Sequence, residues 1–103
     1  MRAAVIGIGS NSVRMLVADL EGAKGIRVCR DREATRLFAG LDEQKRLSAQ
    51  SMQITANAVK SMAQHARSIG AQEVRLFATS ATRDAANQQE LAALLKQEAD
   101  VIL

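Results

Sequence analysis

Two stretches of the 103-residue sequence carry residue types suited to holding an anion. The first is Gly7-Ile8-Gly9-Ser10-Asn11-Ser12. Gly9 can take backbone angles closed to other residues, so that successive N–H groups converge on negative charge. Ser10, Asn11 and Ser12 add short side-chain donors and acceptors. The second is Ala78-Thr79-Ser80-Ala81-Thr82-Arg83, at the carboxyl end of an expected strand and near a helix start. Open α/β sheets bind ligands at such a place, and Arg83 is a permanently charged, bidentate partner for phosphate. Each stretch also has a plainer reading. Gly, Ser and Asn suit any tight hairpin, and the second stretch suits any capped strand–helix junction with a surface arginine.

The remaining candidates are weaker. His65 lies beside the apolar stripe of an expected helix, with no second His or carboxylate at ligand spacing, which fits a boundary histidine. Asp42 and Glu43 fall on a loop, and Asp84 is expected to start a helical turn, where its charge suits the dipole. None forms an acid–base pair. Arg27, Arg30, Arg32 and Arg36 make the densest basic stretch, interrupted by Asp31 and Glu33, and one solvated strand face accounts for it.

These residues need elements to hold them. Residues 3–8 form an apolar run ending at Gly9, 13–20 a second strand and 26–36 a third, with Glu21–Gly25 as the turn between the last two. Ser48 fits an N-cap. Met52, Thr55/Ala56, Val59, Met62/Ala63, Ala66 and Ile69 then recur at helical spacing, and Gly70 is placed to end that helix. Glu73–Ala78 is a fourth strand. Asn87 with Glu90 resembles a capping box for a helix to about Glu98. Val101-Ile102-Leu103 reads as a strand that begins and is cut off, so residues 1–103 are expected to be an incomplete N-terminal subdomain. The order βββαβαβ predicts a mixed α/β sheet: an antiparallel meander followed by crossover units with covering helices.

Composition narrows the function classes. Apolar residues make up 48%, with Phe38 and Phe77 as the only aromatics, so the core must be aliphatic and base stacking has little to stand on. A net charge of +3 is too small and too dispersed to argue for nucleic acid. Cys29 is a single cysteine, which excludes an intramolecular disulfide. No apolar run approaches the ~20 residues of a membrane helix, and the N-terminus does not read as a signal peptide, so a cytoplasmic protein is expected. An unfinished sheet edge at the C-terminus would favour pairing with another chain, hence a homo-oligomer.

Taken together and in order, the motifs resemble one family. Ile8-Gly9-Ser10-Asn11-Ser12-Val13-Arg14 is similar to the opening Asp-hydrophobic-Gly-Ser-Asn-Ser of the Ppx/GppA phosphatases, from its second position onward. Arg36-Leu37-Phe38-Ala39-Gly40-Leu41, Leu47-Ser48 and the block Ala78 through Asn87 resemble their next three segments. The resemblance covers essentially the whole chain. It implies an actin/hexokinase-like (RNase H-like) lobe and hydrolysis of terminal phosphoanhydride bonds in polyphosphate or guanosine pentaphosphate, with Mg²⁺. It also implies that Gly9, Ser10, Asn11 and Ser12 form a first phosphate loop, met by Thr79, Ser80 and Arg83, with Arg36 as a lesser contributor. Two departures stand out. Gly7 occupies the position of the family's metal-holding Asp, and a glycine offers no carboxylate where Mg²⁺ usually needs one or two. The family's water-activating glutamate belongs to a segment following the Val101 strand, so these residues alone are expected to be inactive. A non-catalytic polyphosphate- or nucleotide-binding module with a degraded metal site is the alternative.

Overall fold

The computed structural model describes residues 1–21 and 24–103. Strand β1 (Arg2–Ile8) turns through Gly9–Asn11 into β2 (Ser12–Glu21), which pairs in turn with β3 (Lys24–Ala34). Of the expected Glu21–Gly25 turn, Gly22 and Ala23 lie outside the described residues; its flanks close at the pair Glu21↔Lys24. Helix α1 (Ala49–Ser68) crosses to β4 (Glu73–Ala78), which is followed by the one-turn α2 (Ser80–Arg83) and by α3 (Gln88–Ala99). The sheet order is β3-β2-β1-β4, antiparallel throughout except for the parallel β1–β4 pair that the crossover creates.

Period-two alternation decides which side of the sheet is covered. Ala4, Ile6 and Ile8 of β1, Val13, Met15 and Val17 of β2, and Leu76 and Ala78 of β4 point inward and are buried. Val59, Met62, Ala63 and Ala66 of α1 join them in one core, and Leu91, Leu95 and Ala99 extend it into α3, which packs on α1. The opposite face of the sheet is open: Val5, Leu16 and Phe77 are 40%, 41% and 54% exposed.

The α1 caps form as the sequence predicts. Ser48 Oγ accepts the Ser51 N–H at 3.0 Å, and Gly70 takes φ +95°, which closes the C-terminus. Three details differ from expectation. β3 stops at Ala34 rather than Arg36, because Arg36 turns into the left-handed region at φ 48°. Asn87 makes no side-chain cap; its amide is taken up by the backbone of Leu47, and α3 runs on to Ala99, with Asp100 left-handed at φ 55°. Val101–Leu103 forms no strand, since a strand needs a ladder partner and none among the described residues pairs with it. Val101 is buried against the core instead.

Arg2 ties the start of the sheet to the end of α1. Its Nε and Nη2 donate to the two carboxylate oxygens of Asp19 at 2.8 and 3.0 Å, and its Nη1 donates to the Ile69 carbonyl. The hydrogen bonds from Arg2 hold the Asp19 carboxyl below its usual range and raise the guanidinium. A depressed carboxyl contributes stability above its unfolded-state pKa and loses it as pH falls through the folded one. Asp19→Asn is therefore expected to flatten the acid limb of stability, measured by urea unfolding between neutral pH and pH values below the unfolded carboxyl range. An unchanged limb would show that this ion pair is energetically silent.

Candidate functional site

The turn after β1 is built so that the carbonyls of Ser10 and Asn11 are tied down and their amides are not. Gly9 N–H donates to Ser12 O at 2.9 Å, closing the hairpin. The Asn11 carbonyl accepts from Thr35 N–H (3.1 Å) and Arg36 N–H (3.0 Å), and the Ser10 carbonyl accepts from Phe38 N–H (3.2 Å). Segment 35–38 thus clamps the loop from one side. No acceptor is found among the described residues for the Ser10 and Asn11 amides. Unpaired successive N–H groups of this kind are what an anion requires.

The second turn lies directly beside the first. Thr79 N–H donates to the Ile8 carbonyl at 3.0 Å, and a Cβ placed on Gly9 would sit 3.8 Å from Thr79 Cγ2. Parallel β1–β4 pairing brings this about, because it ends both strands at the same edge, with Ile8 opposite Ala78. Gly9, Ser10, Asn11, Ser12 and Thr79 border one hollow at that edge, which continues over the open face of the sheet. Ser80 and Arg83 sit exposed on α2 just beyond, outside its lining, and Arg36 borders a smaller hollow with Gly40 and Ser48. Thr79 has a local task as well: its Oγ1 accepts from Thr82 N–H at 3.3 Å and lies 3.0 Å from the buried Thr82 hydroxyl. Asp84 ends α2 rather than starting it, so its charge sits at the unfavourable pole of that turn.

The position expected to hold a metal does not fit one. Gly7 faces the open side, opposite Phe77 in β4, and a Cβ there would come within 2.9 Å of Phe77 Cζ. The phenyl ring covers the glycine as aromatics cover strand glycines elsewhere. No group of three or more His, Cys, Asp or Glu side chains converges among the described residues.

Sequence reasoning gave Arg14 no role of its own and read Arg32 as part of a solvated strand face, and both border the main hollow. Arg14 is part of the first motif, and Arg32 falls in the interrupted basic stretch. Only the β2–β3 register, which sets them directly opposite one another, reveals the pair. His65 Nε2 lies 3.9 Å from Cys29 Sγ on the other side of the molecule, with no third ligand among the described residues.

The chain is similar to known proteins in sequence and in fold. The profile of the Ppx/GppA phosphatase family matches residues 16–102. Exopolyphosphatase 1 of Mycobacterium tuberculosis is 30% identical over 104 aligned residues, which cover 100% of this chain and 30% of that protein. Guanosine-5'-triphosphate,3'-diphosphate pyrophosphatase of Vibrio cholerae is 33% identical over 94 residues, covering 91% of the chain and 19% of that protein. The crystal structure of the Aquifex aeolicus Ppx/GppA phosphatase superposes with a TM-score of 0.90 at 27% identity, over 99% of this chain and 34% of that one. The chain thus spans about a third or less of each of these proteins. A profile match over most of the sequence, joined to a superposable fold with the two turns side by side, shows that the chain belongs to the Ppx/GppA phosphatase family.

Proposed function

We propose that this chain is the phosphate-binding N-terminal portion of a phosphohydrolase that cleaves terminal phosphoanhydride bonds of polyphosphate or guanosine pentaphosphate. The observation that carries the reading is the contact of the two turns, with Thr79 N–H on the Ile8 carbonyl and the Ser10 and Asn11 amides left open beside it. Family membership and the relatives themselves, an exopolyphosphatase and a guanosine-5'-triphosphate,3'-diphosphate pyrophosphatase, support the substrate class. In this reading the Gly9–Ser12 loop receives phosphate oxygens through its amides and hydroxyls. Arg83 closes on the chain from α2, where its exposed guanidinium is free to reach a bidentate geometry. Ser80 and the exposed Arg36 serve as lesser contacts.

The 103 residues bind rather than turn over in this proposal. The carboxylate bordering the hollow, Asp31, accepts the N–H of its own neighbour Arg32 at 2.8 Å and is not poised beside the Gly9–Ser12 loop as a base. Gly7 beneath Phe77 favours a second reading, a binding module without hydrolysis. Measuring phosphate release by the whole protein after Gly7→Asp separates the two. A large gain that depends on Mg²⁺ marks a degraded active site. Activity that is already high and unchanged by the substitution marks a phosphohydrolase in which that Asp is dispensable, and no activity before or after the change marks a pure binder.

Calorimetric titration with tripolyphosphate tests the site itself. Arg83→Ala removes a charge-assisted contact worth about 1.5–3 kcal/mol, roughly a ten- to hundredfold loss in affinity. Gly9→Val puts a branched side chain against Ser12 O, already 3.3 Å from a bare Cβ, and against Thr79, so it should separate the turns and weaken binding at least as much. Undiminished binding by both variants would remove the basis for the assignment.

A further inference from the structure

We infer that Cys29 and His65 form half of a zinc site with two thiolate and two imidazole ligands, completed by a second copy of this chain seated on the free edge of β3. The two side chains come from separate elements, β3 and α1, and His65 Nε2 lies 3.9 Å from Cys29 Sγ. Around a tetrahedral zinc ion a thiolate at about 2.3 Å and an imidazole nitrogen at about 2.0 Å stand roughly 3.6 Å apart, so a small adjustment admits the metal between them. His65 is exposed and Cys29 half-buried, which leaves both within reach of an ion. Closed zinc sites take four ligands, and no group of three converges among the described residues. One chain supplies two. A two-fold pair of chains supplies four.

β3 determines where the second copy sits. It is an edge strand of 11 residues, exposed along its length except at Cys29. Its outer backbone groups have no ladder partner among the described residues, and an edge of that length is a template for another strand. Cys29 is the midpoint of Lys24–Ala34, so antiparallel pairing of the whole strand with itself sets Cys29 opposite Cys29 of the second copy. The charges favour this register. Arg27 of each copy comes across from Asp31 of the other, Arg30 from Val28 and Arg32 from Ile26, and no like charges stand opposite. Sliding the pair two residues one way sets Arg30 against Arg30, and two residues the other way leaves Asp31 opposite Gly25. Within the chain Cys29 is paired with Val17, which is buried in the core shared with α1. Both thiols therefore lie on the helix-covered face, where the two His65 rings stand, and a two-fold axis normal to the sheet keeps that face common to both copies.

The test keeps the whole protein reduced and follows its mass by sedimentation equilibrium in Zn²⁺ and in EDTA, with Co²⁺ as the spectroscopic probe. Zn²⁺ is expected to double the mass found in EDTA. Co²⁺ is expected to give a thiolate-to-metal charge-transfer band at one ion per two chains. Cys29→Ser and His65→Ala each remove one ligand per chain and should abolish both the doubling and the band. Co²⁺ affinity should fall about tenfold or more, since loss of even an outer-shell partner costs about 10–100-fold. Circular dichroism checks the fold, and His65→Ala alone serves if Cys29→Ser unfolds the chain, because His65 is exposed. A mass that Zn²⁺ leaves unchanged overturns the inference. So does one ion per chain without association, or a doubling that His65→Ala retains. None of these outcomes touches the phosphate-binding reading of the Gly9–Ser12 loop.

Discussion

Leu37→Ala is expected to remove about 2–5 kcal/mol of folding stability, the range for deleting a fully buried leucine side chain. Leu37 is 0% exposed, in the segment whose backbone holds the Ser10 and Asn11 carbonyls through Thr35, Arg36 and Phe38. Its side chain anchors the clamp; Arg36 beside it is held in a left-handed conformation that costs on the order of 1 kcal/mol for a residue with a Cβ. A cavity under Leu37 therefore acts twice: it lowers global stability, and it lets Arg36 relax and release the loop. Urea unfolding reads the first effect. Hydrogen exchange at Thr35, Arg36 and Phe38 reads the second, with protection lost at those amides before it is lost in β1. Leu37→Met, close in volume, should cost less than about 1.5 kcal/mol and keep the amides protected. Equal stability of the alanine variant would mean that the clamp is held by its backbone alone.

The link between Leu37 and the loop illustrates what a sequence carries and what it does not. Local signals were legible. The apolar run at residues 3–8, the second strand over 13–20, the Ser48 cap and the Gly70 stop each depend on a few neighbouring residues, and the structure has all of them where the sequence places them. The two candidate anion-binding segments were legible as motifs, and parallel pairing of β1 with β4 brings them to one edge. What depends on register was not legible. Arg14 faces Arg32 only once Val13 is paired with Glu33, and Phe77 covers Gly7 only once β4 lies in parallel register with β1. The Val101–Leu103 run shows the limit from the other side: an apolar triplet is strand-like in composition, but pairing requires a neighbour, and here burial of Val101 is satisfied without one. Asn87 is the clearest case. Its spacing to Glu90 is that of a capping box, yet a backbone segment 40 residues away in sequence outcompetes the cap for its amide.

That competition makes Asn87 a sensitive position. Its Oδ1 accepts Leu47 N–H at 2.7 Å and its Nδ2 donates to Leu47 O at 3.0 Å, both in buried surroundings. The pair of bonds joins the entrance of α1 to the entrance of α3 and satisfies a backbone unit that no secondary structure pairs. Asn87→Asp preserves the shape and removes the donor, so two oxygens face one another and a carboxylate is buried, with Glu90 Oε2 near the same Nδ2 position at 3.3 Å. The expected loss is about 2–4 kcal/mol at neutral pH, from an unpaired carbonyl and an unpaired buried charge. Burial and the neighbouring oxygens would raise the folded-state pKa of the introduced carboxylate. A raised pKa gives stability that is present in acid and disappears as pH climbs through the folded value. Lowering the pH should therefore restore much of the loss, because the protonated acid can again donate to Leu47. Asn87→Ala removes both bonds and should show a similar loss with no such recovery. If Asn87→Asp is as stable as the parent at neutral pH, or shows no recovery in acid, the Leu47 clasp does not bear the energy assigned to it, and packing of α3 on α1 must hold the two helix entrances together unaided.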